Sequence, residues 1–280
     1  MQFHRPETVE AALHLMAGQP VRLLAGGTDF FPALAGRTAR DPVIDLSRIE
    51  ALSGISKSGG VWRFGATTTW SEIRDAKLPA QFFCLQQAAR EVGSIQIQNA
   101  GTIAGNLCNA SPAADGVPPL LALDAEVEVA GPAGTRVLPL DQFITGVRRT
   151  ALQPGEIVTA VLVPDWPTGR SAFLKLGARR YLVISIAMAA VVLECADDGT
   201  ITYAAASVGS CSAVARRLTA VEQALTGTRA EPDAIKACLE NADLSPLAPI
   251  DDVRASADYR LAAARELIAR AVLMAAQEGN

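Results

Sequence analysis

Apolar residues recur at helical spacing in several parts of the chain. Near the amino terminus, Val9, Ala12 and Met16 fall on one face of a helix, and Gly18 follows as a typical terminator. The same reasoning predicts further helices along the chain. The predicted helices cover residues 7–17, a segment capped by Ser71, residues 81–92, residues 215–225 and residues 256–276.

Short apolar or alternating runs, bounded by turn residues, predict strands between these helices. The predicted strands cover residues 21–25, 42–46, 61–66, 125–130 and 201–208. The longest apolar run covers residues 181–193 and is interrupted by Ser185, so it is a buried strand or helix that is too short to span a membrane. Helices and strands mix without a regular βαβ rhythm, which favours the α+β class.

The chain is long enough for more than one domain. It has 280 residues, and a hydrophobic share of 50% supports a sizeable core. A turn-rich segment at residues 164–169 is typical of a linker. We expect a first domain over residues 1–165, with subdomains of about 1–55 and 56–165, and a smaller domain over residues 170–280.

Charge and cysteine content exclude several classes of function. The net charge of −4 is spread without long runs of one sign, so we expect neither nucleic acid nor an anionic membrane as a partner. The amino-terminal residues lack the pattern of a secretory signal, and we expect a cytoplasmic protein. The cysteines are scattered without a CxxC pair, which indicates neither a disulfide framework nor a metal site on this chain.

Two stretches combine glycines with small polar side chains. The first follows a predicted strand and contains Gly26, Gly27, Thr28 and Asp29. Glycines allow backbone N–H groups to converge on an anion, so this stretch is a candidate phosphate site. A tight turn capped by Thr28 or Asp29 is the more common explanation for such a stretch taken alone.

The second stretch favours the ligand hypothesis. It contains Gly101, Thr102, Gly105 and Asn106, and Asp115 follows as a carboxylate that could bind sugar hydroxyls. Two phosphate-type loops and one carboxylate predict a nucleotide site. The chain contains neither GxGxxG nor a Walker loop, so no residues support a Rossmann or P-loop fold.

Three segments, in their order and separation, resemble the FAD-binding subunit of the molybdenum hydroxylases. This family includes the medium subunit of carbon monoxide dehydrogenase and the flavin part of xanthine dehydrogenase. The segments are Ala25-Gly26-Gly27-Thr28-Asp29, Gly101-Thr102-Ile103-Ala104-Gly105-Asn106 and Ser111-Pro112-Ala113-Ala114-Asp115. The resemblance covers essentially the whole chain. It implies a two-part FAD-binding domain of the vanillyl-alcohol-oxidase/PCMH-like type, followed by a smaller α+β C-terminal domain like that of the carbon monoxide dehydrogenase flavoprotein.

The resemblance also implies which residues hold FAD. Both glycine-bearing segments are expected to wrap the diphosphate with backbone amides and a threonine hydroxyl. Asp115 is expected to bind the polyol or ribose, Ile157 to form an apolar wall beside the flavin ring, and Lys175 to contact the flavin. The implied cofactor-binding residues are Leu23, Leu24, Ala25, Gly26, Gly27, Thr28, Asp29, Phe30, Thr102, Ile103, Ala104, Gly105, Asn106, Asp115, Ile157 and Lys175, with Val92 as a weaker apolar contact. On this basis Gly26→Val or Asp115→Ala should weaken FAD retention and leave the fold largely intact.

The function implied by the resemblance is electron transfer within a larger enzyme. A large partner subunit with a molybdopterin cofactor would oxidise the substrate, and a small partner with [2Fe-2S] clusters would pass electrons to the FAD of this chain. An external acceptor would then receive them, and the complex would be a dimer of heterotrimers. No residue of this chain is expected to be catalytic in substrate oxidation, and none is expected to bind a metal.

Two other functions stay open from the sequence. One is a stand-alone FAD-dependent oxidase, which needs its own substrate pocket and base. The other is a flavin-free scaffold of the same fold. The only histidines are His4 and His14, in or beside the first helix, so a Ser-His-Asp hydrolase has little support.

Overall fold

The computed structural model describes residues 2–166 and 168–277. Pro167, in the predicted linker, lies outside the described residues. The helices are α1 Val9–Met16, α2 Phe30–Leu34, α3 Trp70–Asp75, α4 Phe83–Glu91, α5 Ile95–Ala100, α6 Ile103–Asn109, α7 Val117–Ala122, α8 Leu140–Phe143, α9 Thr219–Leu225, α10 Pro232–Glu240 and α11 Ala257–Gln277. None of these described helices is long and apolar enough to cross a membrane.

The strands form separate parallel and antiparallel sheets. They are β1 Phe3–His4, β2 Arg22–Leu24, β3 Val43–Asp45, β4 Ile55–Ser58, β5 Val61–Gly65, β6 Glu126–Gly131, β7 Gly134–Pro139, β8 Ile144–Gly146, β9 Arg149–Thr150, β10 Ile157–Pro164, β11 Arg170–Leu176, β12 Ala187–Cys195, β13 Ile201–Gly209 and β14 Arg216–Arg217. The sheet orders are β1-β3-β2, β4-β5-β10-β6-β7 and β11-β12-β13-β14, with β8 and β9 as a separate pair. The first sheet is parallel and the others are antiparallel, so the predicted α+β class is confirmed.

The sheet β11-β12-β13-β14 is covered on both faces. Successive side chains of β12 alternate between the faces, so Ala189 and Val191 join one apolar core while Ala190 and Val192 join the other. The long helix α11 packs on the first of these faces, and α4 and α7 pack on the second. Burial on both faces explains why this part of the sequence is almost continuously apolar.

The predicted cap of the third helix is wrong. Thr69, rather than Ser71, is the N-cap of α3, because its side chain accepts a hydrogen bond from the Glu72 backbone N–H at 3.2 Å. Glu72 in turn accepts from the Thr69 N–H at 2.7 Å, which completes a capping box. Ser71 lies inside the helix and donates to Asn99 Oδ1 at 2.5 Å.

Thr69→Ala is expected to lower the free energy of unfolding by about 1 kcal/mol, since it removes this cap. Ser71→Ala is the matched control and should cost clearly less, because its hydroxyl bonds only an exposed amide. Urea denaturation of both variants measures the difference. Equal losses for the two variants would contradict the assigned cap.

Three further predictions differ from the structure. The predicted helix over residues 215–225 begins only at Thr219, because Arg216 and Arg217 are extended and pair with β13. Within the apolar run of residues 181–193, only the part from Ala187 onwards is strand. The second glycine-bearing stretch, expected as a loop, is largely the start of α6.

Candidate functional site

The two glycine-bearing segments line one cleft. We call residues 23–30 the first segment and residues 101–106 the second segment. The cleft has a volume of about 440 Å³, and Gly27 and Gly105 both line it. Such a volume is typical of pockets for small molecules and cofactors. The first segment follows β2 at the carboxyl end of a strand, and the second leads into α6, so the fold brings distant parts of the sequence to the same place.

Gly26 allows the two segments to touch. A β-carbon on Gly26 would lie 1.7 Å from the Ala100 carbonyl oxygen and 3.0 Å from the Gly101 Cα. Both are backbone atoms, which cannot rotate away as a side chain could. The expectation that Gly26→Val leaves the fold largely intact is therefore wrong, because any side chain here must push the segments apart.

Gly27 has a backbone conformation that side chains rarely adopt. Its φ is +73°, and a β-carbon would lie 2.6 Å from the ring of Phe31. The chain turns here from β2 into α2, and the Phe31 N–H donates to the Gly27 carbonyl at 3.1 Å. Residues 25–30, which include this turn, all line the cleft.

The backbone N–H groups of the two segments differ. In the second segment, the N–H groups of residues 103–106 are all bonded within the chain; Ile103 donates to the Thr68 carbonyl at 2.9 Å, and Gly105 donates to Thr102 Oγ1 at 3.1 Å. In the part of the chain that the structure describes, the N–H groups of residues 26–29 have no such partner. Free amides beside a cleft are available to an anion, whereas bonded amides are not.

The side-chain oxygen of Asn106 in the second segment is buried. Asn106 lines the cleft, and its Oδ1 has no hydrogen-bond partner within the described residues. Buried polar atoms are almost always hydrogen-bonded, and this one is an exception that lies against Gly116, where a β-carbon would come within 3.0 Å of it. The neighbouring Asn109 is already engaged, since it donates to Asp29 Oδ1 at 2.8 Å.

Asp115 and Lys175 form a buried ion pair outside this cleft. Lys175 Nζ lies 2.8 Å from Asp115 Oδ2, and the two side chains are only 6% and 10% exposed. Ser185 donates to Asp115 Oδ1 at 2.7 Å. Burial raises the pKa of Asp115, while Lys175 and Ser185 act in the opposite direction. Asp115→Ala would leave Lys175 without its carboxylate, so it is not a simple test of ligand binding.

Lys175 lines a second cavity of about 710 Å³. Arg90, Arg179 and Arg180 add positive charge to this cavity, and Glu91 is the acidic residue of its lining. Burial raises the pKa of Glu91, Lys175 lowers it, and the nearby Asp115 raises it. Consecutive residues line the second cavity and the first cleft, since Glu91 lines the cavity and Val92 lines the cleft.

The remaining predicted site residues divide into two groups. Ile157 is fully buried at the start of β10 and contributes to the wall of the cleft, as does Val92. Leu24 and Ile103 are buried in apolar cores and do not line the cleft. Leu23, Ala25, Thr28, Asp29, Phe30, Thr102 and Ala104 all border it.

Two further residues line the cleft, and sequence reasoning missed the first of them. Trp70 lines it and donates its backbone N–H to the Gly101 carbonyl at 3.1 Å, which fixes the second segment. Cys108 is exposed and also borders the cleft. The only signal for Trp70 was a large aromatic residue beside the predicted cap. In residues 2–166 and 168–277, no group of His, Cys, Asp and Glu side chains is arranged to hold a metal.

Comparison with family models matches both parts of the chain. Residues 1–166 match the FAD binding domain in molybdopterin dehydrogenase. Residues 172–275 match the CO dehydrogenase flavoprotein C-terminal domain. Together the two models span almost the whole sequence.

Relatives of similar length accompany these matches. The nicotinate dehydrogenase FAD-subunit of Eubacterium barkeri is 34% identical over 85% of this chain and 83% of its own length. The nicotine 6-hydroxylase medium subunit of Paenarthrobacter nicotinovorans is 31% identical over 98% of this chain and 97% of its own length. Among solved structures, a chain of reconstituted CO dehydrogenase from Oligotropha carboxidovorans superposes with a TM-score of 0.91 at 29% identity, covering 99% of this chain and 97% of that one.

Proposed function

The chain belongs to the family of FAD-binding subunits of molybdopterin dehydrogenases, and from this premise we propose that it is the electron-transfer subunit of a molybdenum-containing hydroxylase or dehydrogenase complex. It is an oxidoreductase subunit whose cofactor is FAD. The observation that carries the proposal is the shared cleft, which is lined both by the first segment, whose amides at residues 26–29 have no partner within the described residues, and by the second segment.

The residues of the cleft fit the parts of FAD. A diphosphate needs several neutral donors, and the free N–H groups of residues 26–29 supply them. Ile157 and Val92 give an apolar wall suited to a flat ring system.

The second segment has a different role from the first in this proposal. Its amides are used by its own fold, so it contributes the Thr102 hydroxyl, the Asn106 side chain and the close approach allowed at Gly105. Leu24 and Ile103 do not line the cleft, so in this proposal their side chains hold the two segments in place from the apolar cores. Asp115 and Lys175 lie outside the cleft, and they would act on the flavin as a pair from the second cavity, whose lining residue Glu91 directly precedes Val92 of the cleft.

FAD, when bound, supplies the capacity to accept and release electrons singly or in pairs. The chain's own residues bind the cofactor, orient it and exclude water from its apolar wall. We infer that a small partner with [2Fe-2S] clusters delivers electrons and that a large partner with a molybdopterin cofactor oxidises the substrate. An external acceptor would receive the electrons, and the assembly would be a dimer of heterotrimers in the cytoplasm.

The names of the relatives support these partners. They are named a FAD-subunit and a medium subunit, and one related structure is a carbon monoxide dehydrogenase that lacks the Mo-pyranopterin moiety of its molybdenum cofactor. We also propose that the first domain, residues 1–165, has the two-part vanillyl-alcohol-oxidase/PCMH-like arrangement with subdomains of about 1–55 and 56–165. Residues 170–280 would form the C-terminal domain.

Purification of the tagged chain from its native host tests this assembly. Two companion chains should co-purify, and the complex should contain iron, acid-labile sulfide, molybdenum and FAD. If the chain instead purifies alone with FAD and oxidises a substrate by itself, it is a stand-alone oxidase. If it purifies without flavin and takes up none when FAD is added, it is a scaffold.

A further inference from the structure

The connection between β11 and β12, residues 177–186, has an exposed tip and a buried end. The side chains of Tyr181, Leu182 and Ile184 are 60%, 56% and 53% exposed. Ser185, the next residue, is only 2% exposed. A buried hydroxyl in a mostly exposed connection must find a hydrogen-bond partner or pay the cost of desolvation.

The partner of Ser185 is the buried carboxylate of Asp115. Ser185 Oγ donates to Asp115 Oδ1 at 2.7 Å, and Asp115 Oδ2 binds Lys175 Nζ at 2.8 Å. Lys175 Nζ also donates to the Glu91 carbonyl at 3.2 Å. Residues far apart in sequence thus form one continuous chain of hydrogen bonds, from the β11–β12 connection to the end of α4.

This chain of hydrogen bonds fixes the orientation of the Lys175 ammonium group. Each carboxylate oxygen of Asp115 has its own partner, so the carboxylate cannot rotate without breaking a bond to a charged group. An ammonium has three donors, and two of those on Lys175 are used. The third is left for a group in the second cavity, which Lys175 lines.

We propose that Ser185 is a positioning residue, which acts through Asp115 to hold the Lys175 ammonium in one orientation on the wall of the second cavity. The same bond anchors the β11–β12 connection to the first domain. The effect on the cofactor rests on the proposed function, because only then does Lys175 face a flavin. The effect on the connection does not rest on it.

Ser185→Ala in the full chain removes the proposed bond. Ser207→Ala is the matched control: Ser207 is also buried, lies in β13 of the sheet that contains β11 and β12, and donates to the Pro118 carbonyl at 2.6 Å without touching Asp115. Ser185→Cys keeps a similar volume but offers only a weak donor. It is measured in parallel and replaces the alanine variant if that variant does not fold.

The first readout is tryptic cleavage after Arg179 and Arg180, which are exposed in the connection. Loss of a hydrogen bond to a charged group should raise the opened population, and with it the cleavage rate, on the order of tenfold. The second readout is the midpoint potential of bound FAD. It should become more negative in the Ser185 variants, because a fixed cation favours the electron-rich state of a neighbouring group.

Both readouts moving in the Ser185 variants, with neither moving in Ser207→Ala, is the expected result. Cleavage at the same rate in Ser185→Ala, Ser185→Cys and the wild type would overturn the proposal. Faster cleavage with an unchanged potential would uphold the anchor but overturn the action of Lys175 on the flavin. Absence of bound FAD in the wild type, with faster cleavage in the variants, would uphold the anchor and count against the proposed function instead.

Discussion

Replacing Gly26 by alanine is expected to unfold or strongly destabilise the first domain and to abolish tight FAD binding. The new β-carbon would lie 1.7 Å from the Ala100 carbonyl oxygen, so the first and second segments must separate. Overpacking against side chains lowers the free energy of unfolding by about 1–3 kcal/mol. Because backbone atoms cannot rotate away, the loss for this variant should be about 3 kcal/mol or more. Urea denaturation measures the stability, and titration with FAD measures the affinity, which should fall more than about tenfold.

Gly146→Ala is the matched control for this change. Gly146 is a glycine of β8, and the atoms nearest to its missing β-carbon are those of the Arg149 side chain at 3.8 Å, which is an ordinary contact. Its stability should change by less than about 1 kcal/mol, and FAD binding should be unaffected. If Gly26→Ala behaved like Gly146→Ala in both measurements, the two segments would not meet as the structure has them.

Lys175→Met is expected to lower the free energy of unfolding by about 3–5 kcal/mol near neutral pH, since it leaves the buried carboxylate of Asp115 without its cation. Burial already raises the pKa of Asp115, and removal of Lys175 should raise it further. A carboxyl whose pKa is higher in the folded than in the unfolded state loses stability as pH rises through the folded pKa. The deficit of the variant should therefore shrink as the pH falls and Asp115 becomes neutral.

Lys57→Met provides the comparison. Lys57 pairs with Asp165 at 2.7 Å but is 44% exposed, so its loss should cost at most about 1 kcal/mol and show no comparable dependence on pH. Denaturation of both variants at several pH values measures the difference. A similar small loss for the two lysines would mean that the Asp115–Lys175 pair is solvated and not buried.

Local patterns predicted part of the regular structure. The alternating and apolar runs gave β2, β3, β5, β6 and β13 within a residue or two, and the alanine-rich carboxy-terminal segment is α11. The errors arose where tertiary contacts decide. Thr69 and Ser71 are equally good caps by type, and only the reciprocal bond with Glu72 selects Thr69.

The sequence predicted the site as two glycine-bearing loops. It could not predict which backbone N–H groups of these segments are hydrogen-bonded within the chain. Glycine and threonine types indicated that Gly26 and Thr102 lie at special positions, and the structure brings both to one cleft. The amides of Ile103 and Ala104 donate to Thr68 and Ala66, more than thirty residues away, so no local pattern could show that these two amides are occupied. The Ser185–Asp115 bond joins residues 70 positions apart and was equally hidden.

Hydrogen–deuterium exchange with and without FAD is the most direct test of the central claim, which is that free amides of the first segment bind the diphosphate. Peptides that cover residues 26–29 should exchange fast in the free chain and become protected at saturating FAD, because those amides have no partner within the described chain. Peptides that cover residues 103–106 should be protected before FAD is added. Unchanged fast exchange of residues 26–29 at saturating FAD would contradict the account.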